Sequence, residues 1–194
     1  MDLDIANEFE RTDSSITSQR DAPSGEIAFA TGISTLGTVL VARSARGVCA
    51  ILIGSEDREL VADLAARFPE NRLVPCQRKV EGDLERTLRF IENPGAGLDL
   101  NLDIHGTPFQ RRVWDALCAI PSGQTVTYAA LARRIGEPGS ARAVANACAA
   151  NAIALAIPCH RVVRRDGTLS SYRWGLERKR ALLAREGRRR ERGF

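Results

Sequence analysis

Two histidines, two tyrosines, two tryptophans and one methionine are all that 194 residues hold of these types. The two histidines (His105 and His160) and five scattered cysteines, Cys49, Cys76, Cys118, Cys148 and Cys159, form no CxxC pair. They cannot complete a usual structural zinc set, so neither a metal nor a cofactor is expected. An odd, widely spaced cysteine count also argues against a disulfide framework and for reduced thiols. No apolar run approaches the length of a membrane span. The start, Met1-Asp2-Leu3-Asp4, is acidic where a signal peptide carries a basic and then a hydrophobic stretch. These absences predict a soluble, cytoplasmic protein. The hydrophobic fraction, 44%, suffices for a true core in one domain or two small ones.

The net charge of +4 hides an asymmetry. Arginines concentrate after Arg111, while residues 1–104 are acidic on balance. A basic half suits a polyanion, nucleic acid first. It equally suits a solvated surface, and composition alone leaves both open.

Residues 1–24 show no hydrophobic period and read as a disordered tail. Residues 27–31, 37–42 and 48–53 read as three strands of an antiparallel meander. Ser55 opens a capped helix to about Phe68, and residues 82–91 predict another. Residues 98–103 alternate as a short strand. Residues 25–103 thus form a small α/β scaffold. After it, helices dominate. Thr107 caps a helix over 108–119 with proline at its first position. Thr127 caps one over 128–134, a Gly136-Glu137-Pro138-Gly139 turn follows, and a third covers 140–149. This matches a helix-turn-helix, although plain helical hairpins share the pattern. The third helix, Ala141-Arg142-Ala143-Val144-Ala145-Asn146-Ala147-Cys148-Ala149-Ala150, is nearly all alanine. It has few base-reading side chains, so it suits close, sequence-indifferent contact or tight packing on a neighbour. A last helix runs from Leu176 to about Arg185, closed by Glu186-Gly187. Residues 188–194 read as a basic, disordered tail.

The chemistry centres on Ile157-Pro158-Cys159-His160-Arg161-Val162-Val163. Proline stiffens the backbone where a thiol meets an imidazole. A thiol is a nucleophile as thiolate, which an adjacent base promotes. Alone, such a pair is more often a buried cysteine before a strand. Asn151 reads on its own as a helix C-cap.

Four motifs in order change that balance: Ile157 to Val163, Gly167-Thr-Leu-Ser-Ser-Tyr-Arg-Trp-Gly175, Phe109-Gln-Arg-Arg-Val-Trp114 and Arg142-Ala-Val-Ala-Asn-Ala-Cys-Ala-Ala-Asn151. Together they resemble the O6-alkylguanine-DNA alkyltransferases (methylated-DNA–protein-cysteine methyltransferases), most closely the alkyltransferase half of bacterial Ada-type proteins. The resemblance covers about residues 27–187. It implies an α+β fold, with an RNase H-like α/β module holding an antiparallel sheet, then a mostly helical winged helix-turn-helix over 104–187. It implies a single-turnover transferase that moves an alkyl group from O6-alkylguanine, and from O4-methylthymine, in duplex DNA onto Cys159 after nucleotide flipping. His160 is implied as the base acting through a water, and Glu186 as its carboxylate partner. Asn151 would tie the active-site turn to the recognition helix. Tyr128 would help rotate the nucleotide and donate to guanine N3. Arg142 would enter the base stack, with Ala141, Ala143, Thr127 and Tyr128 lying against DNA in the minor groove without sequence preference. Val162, Ser171, Tyr172, Arg173 and Trp174 would line the base pocket, with the Val162 carbonyl facing the guanine amino group. No obligate protein partner and no membrane are implied. The related loop carries a glycine at 170 or 171 where this chain has two serines, which implies a differently shaped wall. No counterpart of the cysteine-rich Ada domain is visible, so phosphotriester repair and transcriptional activation are not expected. The alternatives are a damage sensor that binds without transfer, and a DNA-binding regulator.

Overall fold

The computed structural model describes residues 25–94 and 97–191; side chains are described as far as Gly187. The tail expected over 1–24 lies outside the described residues, as do 192–194 of that expected over 188–194; residues 188–191 are helical instead. Three strands, β1 (Glu26–Ser34), β2 (Gly37–Arg43) and β3 (Val48–Gly54), pair antiparallel as the meander predicts. Residues 39–42 and 48–53 are all buried, so both faces of the inner strands are covered. The β1–β2 turn needs Gly37: its φ is +105°, and a Cβ there would stand 2.4 Å from the Gly54 carbonyl oxygen.

Helix α1 (Asp57–Arg67) buries Leu60 and Leu64. Its N-cap is Glu56 with no side-chain capping bond, so the capped start expected at Ser55 is absent. Beyond it an unanticipated strand, β4 (Arg72–Pro75), pairs parallel to β1 and completes a sheet ordered β3-β2-β1-β4. Four part-exposed residues ending in proline give no alternation to read. Helix α2 (Gln77–Glu92) starts five residues before the expected 82. Gly82 lies inside it, where glycine costs about 1 kcal/mol and does not break the helix. The strand expected over 98–103 is a single bridge between Val48 and Leu102.

Helix α3 (Pro108–Cys118) begins with a full capping box: Thr107 accepts from Gln110 N–H, and Gln110 accepts from Thr107 N–H. Its Trp114 donates to the Ala147 carbonyl at 2.9 Å, locking it to α5 (Ala141–Ala150). Between them lies α4 (Tyr128–Arg134), with Thr127 accepting from Ala130 N–H. Helix α4 ends in a Schellman motif, Glu137 N–H to the Ala132 carbonyl and Gly136 N–H to the Arg133 carbonyl, with Gly136 at φ +78°. This is the expected helix-turn-helix.

Two short pairings set the chemistry. Strand β5 (Val126–Thr127) runs straight into α4, and it pairs parallel with β6 (Val162–Val163). Cys159–Arg161 forms a single 3-10 turn immediately before β6, where a strand was expected. The register Thr127–Val163 therefore sets the start of α4 beside the Cys-His turn. On the other side Ile51 bonds Ala152 and Ala154, which docks the loop before Cys159 onto the sheet. Helix α6 (Leu176–Glu191) runs past the expected end at Gly187. Its side chains reach back to the sheet module, Arg178 to the Leu36 carbonyl and Arg185 to the Ile91 carbonyl. One buried apolar cluster joins the sheet to α3–α6. Among the described residues no helix is long and apolar enough to cross a membrane.

Candidate active site

The loop between α5 and the Cys159 turn is held by one side chain. Asn151 is fully buried; its amide donates to the Ile157 carbonyl at 2.9 Å and to Cys159 Sγ at 3.3 Å, and its carbonyl accepts from Ile153 N–H at 2.8 Å. It is the C-cap of α5, and it also closes the loop onto the thiol. Leu155, inside that loop, has φ +69°, alone among the described non-glycine residues in the left-handed region. Such a conformation costs about 1–3 kcal/mol and persists where surroundings over-determine it.

Cys159 is buried, and burial pushes its thiol up to about 11, against the Asn151 hydrogen bond and the Lys179 charge, which lower it. At neutral pH it is a thiol. His160 follows, fully buried, with Nε2 3.0 Å from Glu186 Oε1. Glu186 titrates down at about 2: burial raises it, but hydrogen bonds from His160 and Arg161 and their charges prevail. The carboxylate is therefore ionised, and the proton it shares sits on Nε2. Burial pulls His160 below the ordinary histidine value, with Glu186 opposing. A neutral ring with Nε2 protonated leaves Nδ1 as a lone pair, and Nδ1 is buried with no protein partner. The arrangement is an oriented base beside a thiol, the logic of a triad.

Glu186 collects more than the histidine. Arg161 donates from Nε and Nη2 to its oxygens at 2.8–3.3 Å, and Gly123 N–H donates at 3.1 Å. Arg161 also donates from Nη1 to the Ile120 carbonyl. Arg161 lies inside the quoted motif, yet no role was assigned to it.

Tyr128 opens α4 and is half-buried. Its hydroxyl lies 2.7 Å from Ser170 Oγ, and burial raises its pKa against that hydrogen bond. Ser170 is buried and Ser171 exposed. Neither has a left-handed backbone, so the serine pair fits here without the φ that would demand glycine. Lys179 on α6 was also missed. It is fully buried, and its ammonium donates to the Val162 carbonyl at 2.5 Å and to Ser170 Oγ at 2.9 Å. One signal was available: Lys179, Leu182 and Glu186 fall at i, i+3 and i+7, on one helix face.

The other expected residues divide. Tyr172 is buried edge-on to His160 and to Trp174, with ring centroids 6.4 and 5.1 Å away. Val162 is buried, its carbonyl already taken by Lys179. The Arg173 side chain turns to Asp63 on α1, at 2.6 Å, leaving its backbone as the part that could line a pocket. On α5, Arg142 and Ala143 are exposed and Ala141 is half-buried, whereas Val144, Ala147 and Cys148 face inward. Thr127 uses its hydroxyl oxygen to cap α4. Among the described residues, no group of three metal-ligating side chains gathers.

A family model, the DNA-binding domain of 6-O-methylguanine DNA methyltransferase, matches residues 108–188. The inducible methylated-DNA–protein-cysteine methyltransferase of Bacillus subtilis is 37% identical over 141 residues, covering 71% of this chain and 79% of that protein. The chain belongs to this methyltransferase family. The regulatory protein Ada of Salmonella typhimurium is 52% identical over 155 residues, covering 80% of this chain and 44% of that protein. The chain thus spans less than half the length of that relative. A crystal structure of Mycobacterium tuberculosis OGT in complex with DNA superposes with TM-score 0.65 at 33% identity, covering 84% of this chain and 94% of the other. The mixed α+β architecture is thereby that of solved members of the methyltransferase family.

Proposed function

We propose that the chain is a one-use DNA repair alkyltransferase, with residues 25–103 as scaffold and 104–187 carrying the chemistry. The observation that carries this reading is the buried Asn151–Cys159 and His160–Glu186–Arg161 constellation beside an exposed, alanine-rich helix. Cys159 Sγ attacks the alkyl carbon on guanine O6. The S–C bond forms as the C–O6 bond breaks. The thiol proton passes through one water to His160 Nδ1, which has no protein partner, and guanine leaves as an anion that is reprotonated. Tyr128 donates to guanine N3 and spreads the leaving charge. A thiol held protonated until a base removes it is inert towards stray electrophiles, which suits a protein that reacts once. No metal or cofactor enters this scheme.

Alkylated O6 is out of reach inside a duplex, so the nucleotide is turned out. The exposed face of α5, with Arg142, Ala143, Asn146 and Ala149, brings the backbone close with little base readout, which favours the minor groove and any sequence. Among the described residues Arg142 makes no hydrogen bond or ion pair, leaving its guanidinium available to fill the vacated stack. Exposed Arg111, Arg133 and Arg134 supply phosphate contacts. No obligate protein partner is needed, and action in the cytoplasm follows from the same reading.

The test is intact mass after incubation with a duplex containing O6-methylguanine. A gain of one CH2 unit on Cys159, absent in Cys159→Ala, is expected. Binding without a mass change would reverse the reading in favour of a damage sensor.

A further inference from the structure

Lys179, Ser170 and Tyr128 form a chain of three polar groups leading from α6 to the start of α4. Lys179 Nζ reaches Ser170 Oγ at 2.9 Å, the Ser170 carbonyl at 3.4 Å and the Val162 carbonyl at 2.5 Å. Ser170 Oγ then reaches the Tyr128 hydroxyl at 2.7 Å. Counting protons sets a direction along this chain. Lys179 has donors only. Ser170 must therefore accept from it, and the serine's single proton goes elsewhere. Two acceptors are in reach. The Val162 carbonyl is 3.4 Å away and already takes Lys179 at 2.5 Å. The Tyr128 oxygen is nearer, at 2.7 Å, within the usual range for an O–H···O bond. With Ser170 donating to it, Tyr128 cannot spend its own proton on Ser170. Its O–H is left for another acceptor.

We propose that Ser170 and Lys179 are positioning residues whose hydrogen-bond relay fixes the Tyr128 hydroxyl as a donor to the departing base. The inference rests on the alkyltransferase reading and deepens it. Charge-assisted bonds are shorter and stronger than neutral ones, and each link polarises the next. The phenol of Tyr128 thereby becomes a stronger donor than one on an isolated serine. The ammonium, with three N–H groups and no lone pair, sets the direction. The relay also gives Ser170 a purpose distinct from that of its neighbour: Ser170 faces the relay, and Ser171 faces solvent.

The test compares single-turnover rate constants on two duplexes, one with O6-methylguanine and one with O6-methyl-3-deazaguanine, in which a C–H replaces the N3 acceptor. Reaction amplitude reports the folded fraction, so a folding defect does not enter the rate constant. In Ser170→Ala the rate on O6-methylguanine should fall about fivefold, the worth of one hydrogen bond. The rate on the deaza duplex should stay unchanged. Ser170→Thr, which keeps the hydroxyl, should restore the first rate, and Lys179→Met should reproduce the selective loss. Equal slowing on both duplexes, or none on either, overturns the relay while leaving wild-type transfer intact. A wild-type protein that transfers to neither duplex overturns the alkyltransferase reading itself, and the relay with it.

Discussion

His160 and Glu186 share a 3.0 Å hydrogen bond with both side chains shut away from solvent. The pair binds fewer protons folded than unfolded. Glu186 is held at about 2 against an ordinary 4.5, and His160 lies below its ordinary 6.5. Both shifts are downward, so both groups contribute stability above their unfolded pKa values and lose it as pH falls. The His160 contribution fades first, below about pH 6.5, and that of Glu186 follows between about pH 4.5 and about pH 2. Urea unfolding between about pH 7 and about pH 4 should therefore give a midpoint that declines with acid. In His160→Gln the upper part of that decline should flatten. An unchanged slope in that variant would remove His160 from the titration.

The transfer rate should follow the same proton. If His160 Nδ1 accepts from Cys159, protonating the ring abolishes the base. Single-turnover rates are then flat near neutrality and drop on the acid side of the ordinary histidine pKa. Loss of a general base typically costs about 10²–10⁴-fold. His160→Gln should lie in that range, with duplex affinity unchanged by filter binding.

Arg161 makes Glu186 as much structural as chemical. The carboxylate carries two donors from Arg161, one from His160 and one from Gly123. Removing it leaves a buried guanidinium uncompensated, which costs about 3–5 kcal/mol. Glu186→Ala should lower the folding free energy by about that amount. Glu186→Gln keeps the shape but loses the charge, and should fall between. Equilibrium urea unfolding of the two variants would read the difference. Near-wild-type stability of Glu186→Ala would mean that Arg161 finds another partner.

The features legible in the amino-acid sequence are mostly local. Thr107 and Thr127 cap their helices because a hydroxyl and a backbone N–H three residues on need no tertiary help. The Gly136 turn is legible for the same reason. Cys159, His160 and Glu186 came from motif resemblance, and the chain brings His160 and Glu186 together across 26 positions. Strand β4 was not legible, because a short edge strand with proline carries no period. Arg161 and Lys179 were missed because charged residues read as surface until their partners are known. The serine pair was expected to change the pocket wall through backbone geometry. Instead both serines adopt ordinary φ, and the consequence falls on the Ser170 hydroxyl.

Asn151 should matter beyond its bond to the thiol. Replacing it with alanine strands the Ile157 carbonyl and the Ile153 N–H in a buried loop. Each orphaned group costs about 1–3 kcal/mol. Asn151→Ala should destabilise by about 2–4 kcal/mol. Because Leu155 is held in a left-handed conformation by the same loop, amide exchange over 152–157 should rise more than elsewhere. Uniform exchange across the chain would show that Asn151 supports the global fold and not the loop.

Arg142 separates base extrusion from chemistry. It stands exposed at the start of α5, away from the buried thiol machinery. Filling a vacated stack matters only when a duplex is present. Arg142→Ala should slow repair of O6-methylguanine in duplex DNA by about tenfold or more, since unstacking alone costs a few kcal/mol. Reaction with free O6-benzylguanine, which needs no extrusion, should keep its wild-type rate. Raising salt should weaken duplex binding of both proteins, with a shallower dependence in the variant if Arg142 also neutralises a phosphate. Equal losses on duplex and free base would place Arg142 in the folding of the helix-turn-helix and take the extrusion role away from it.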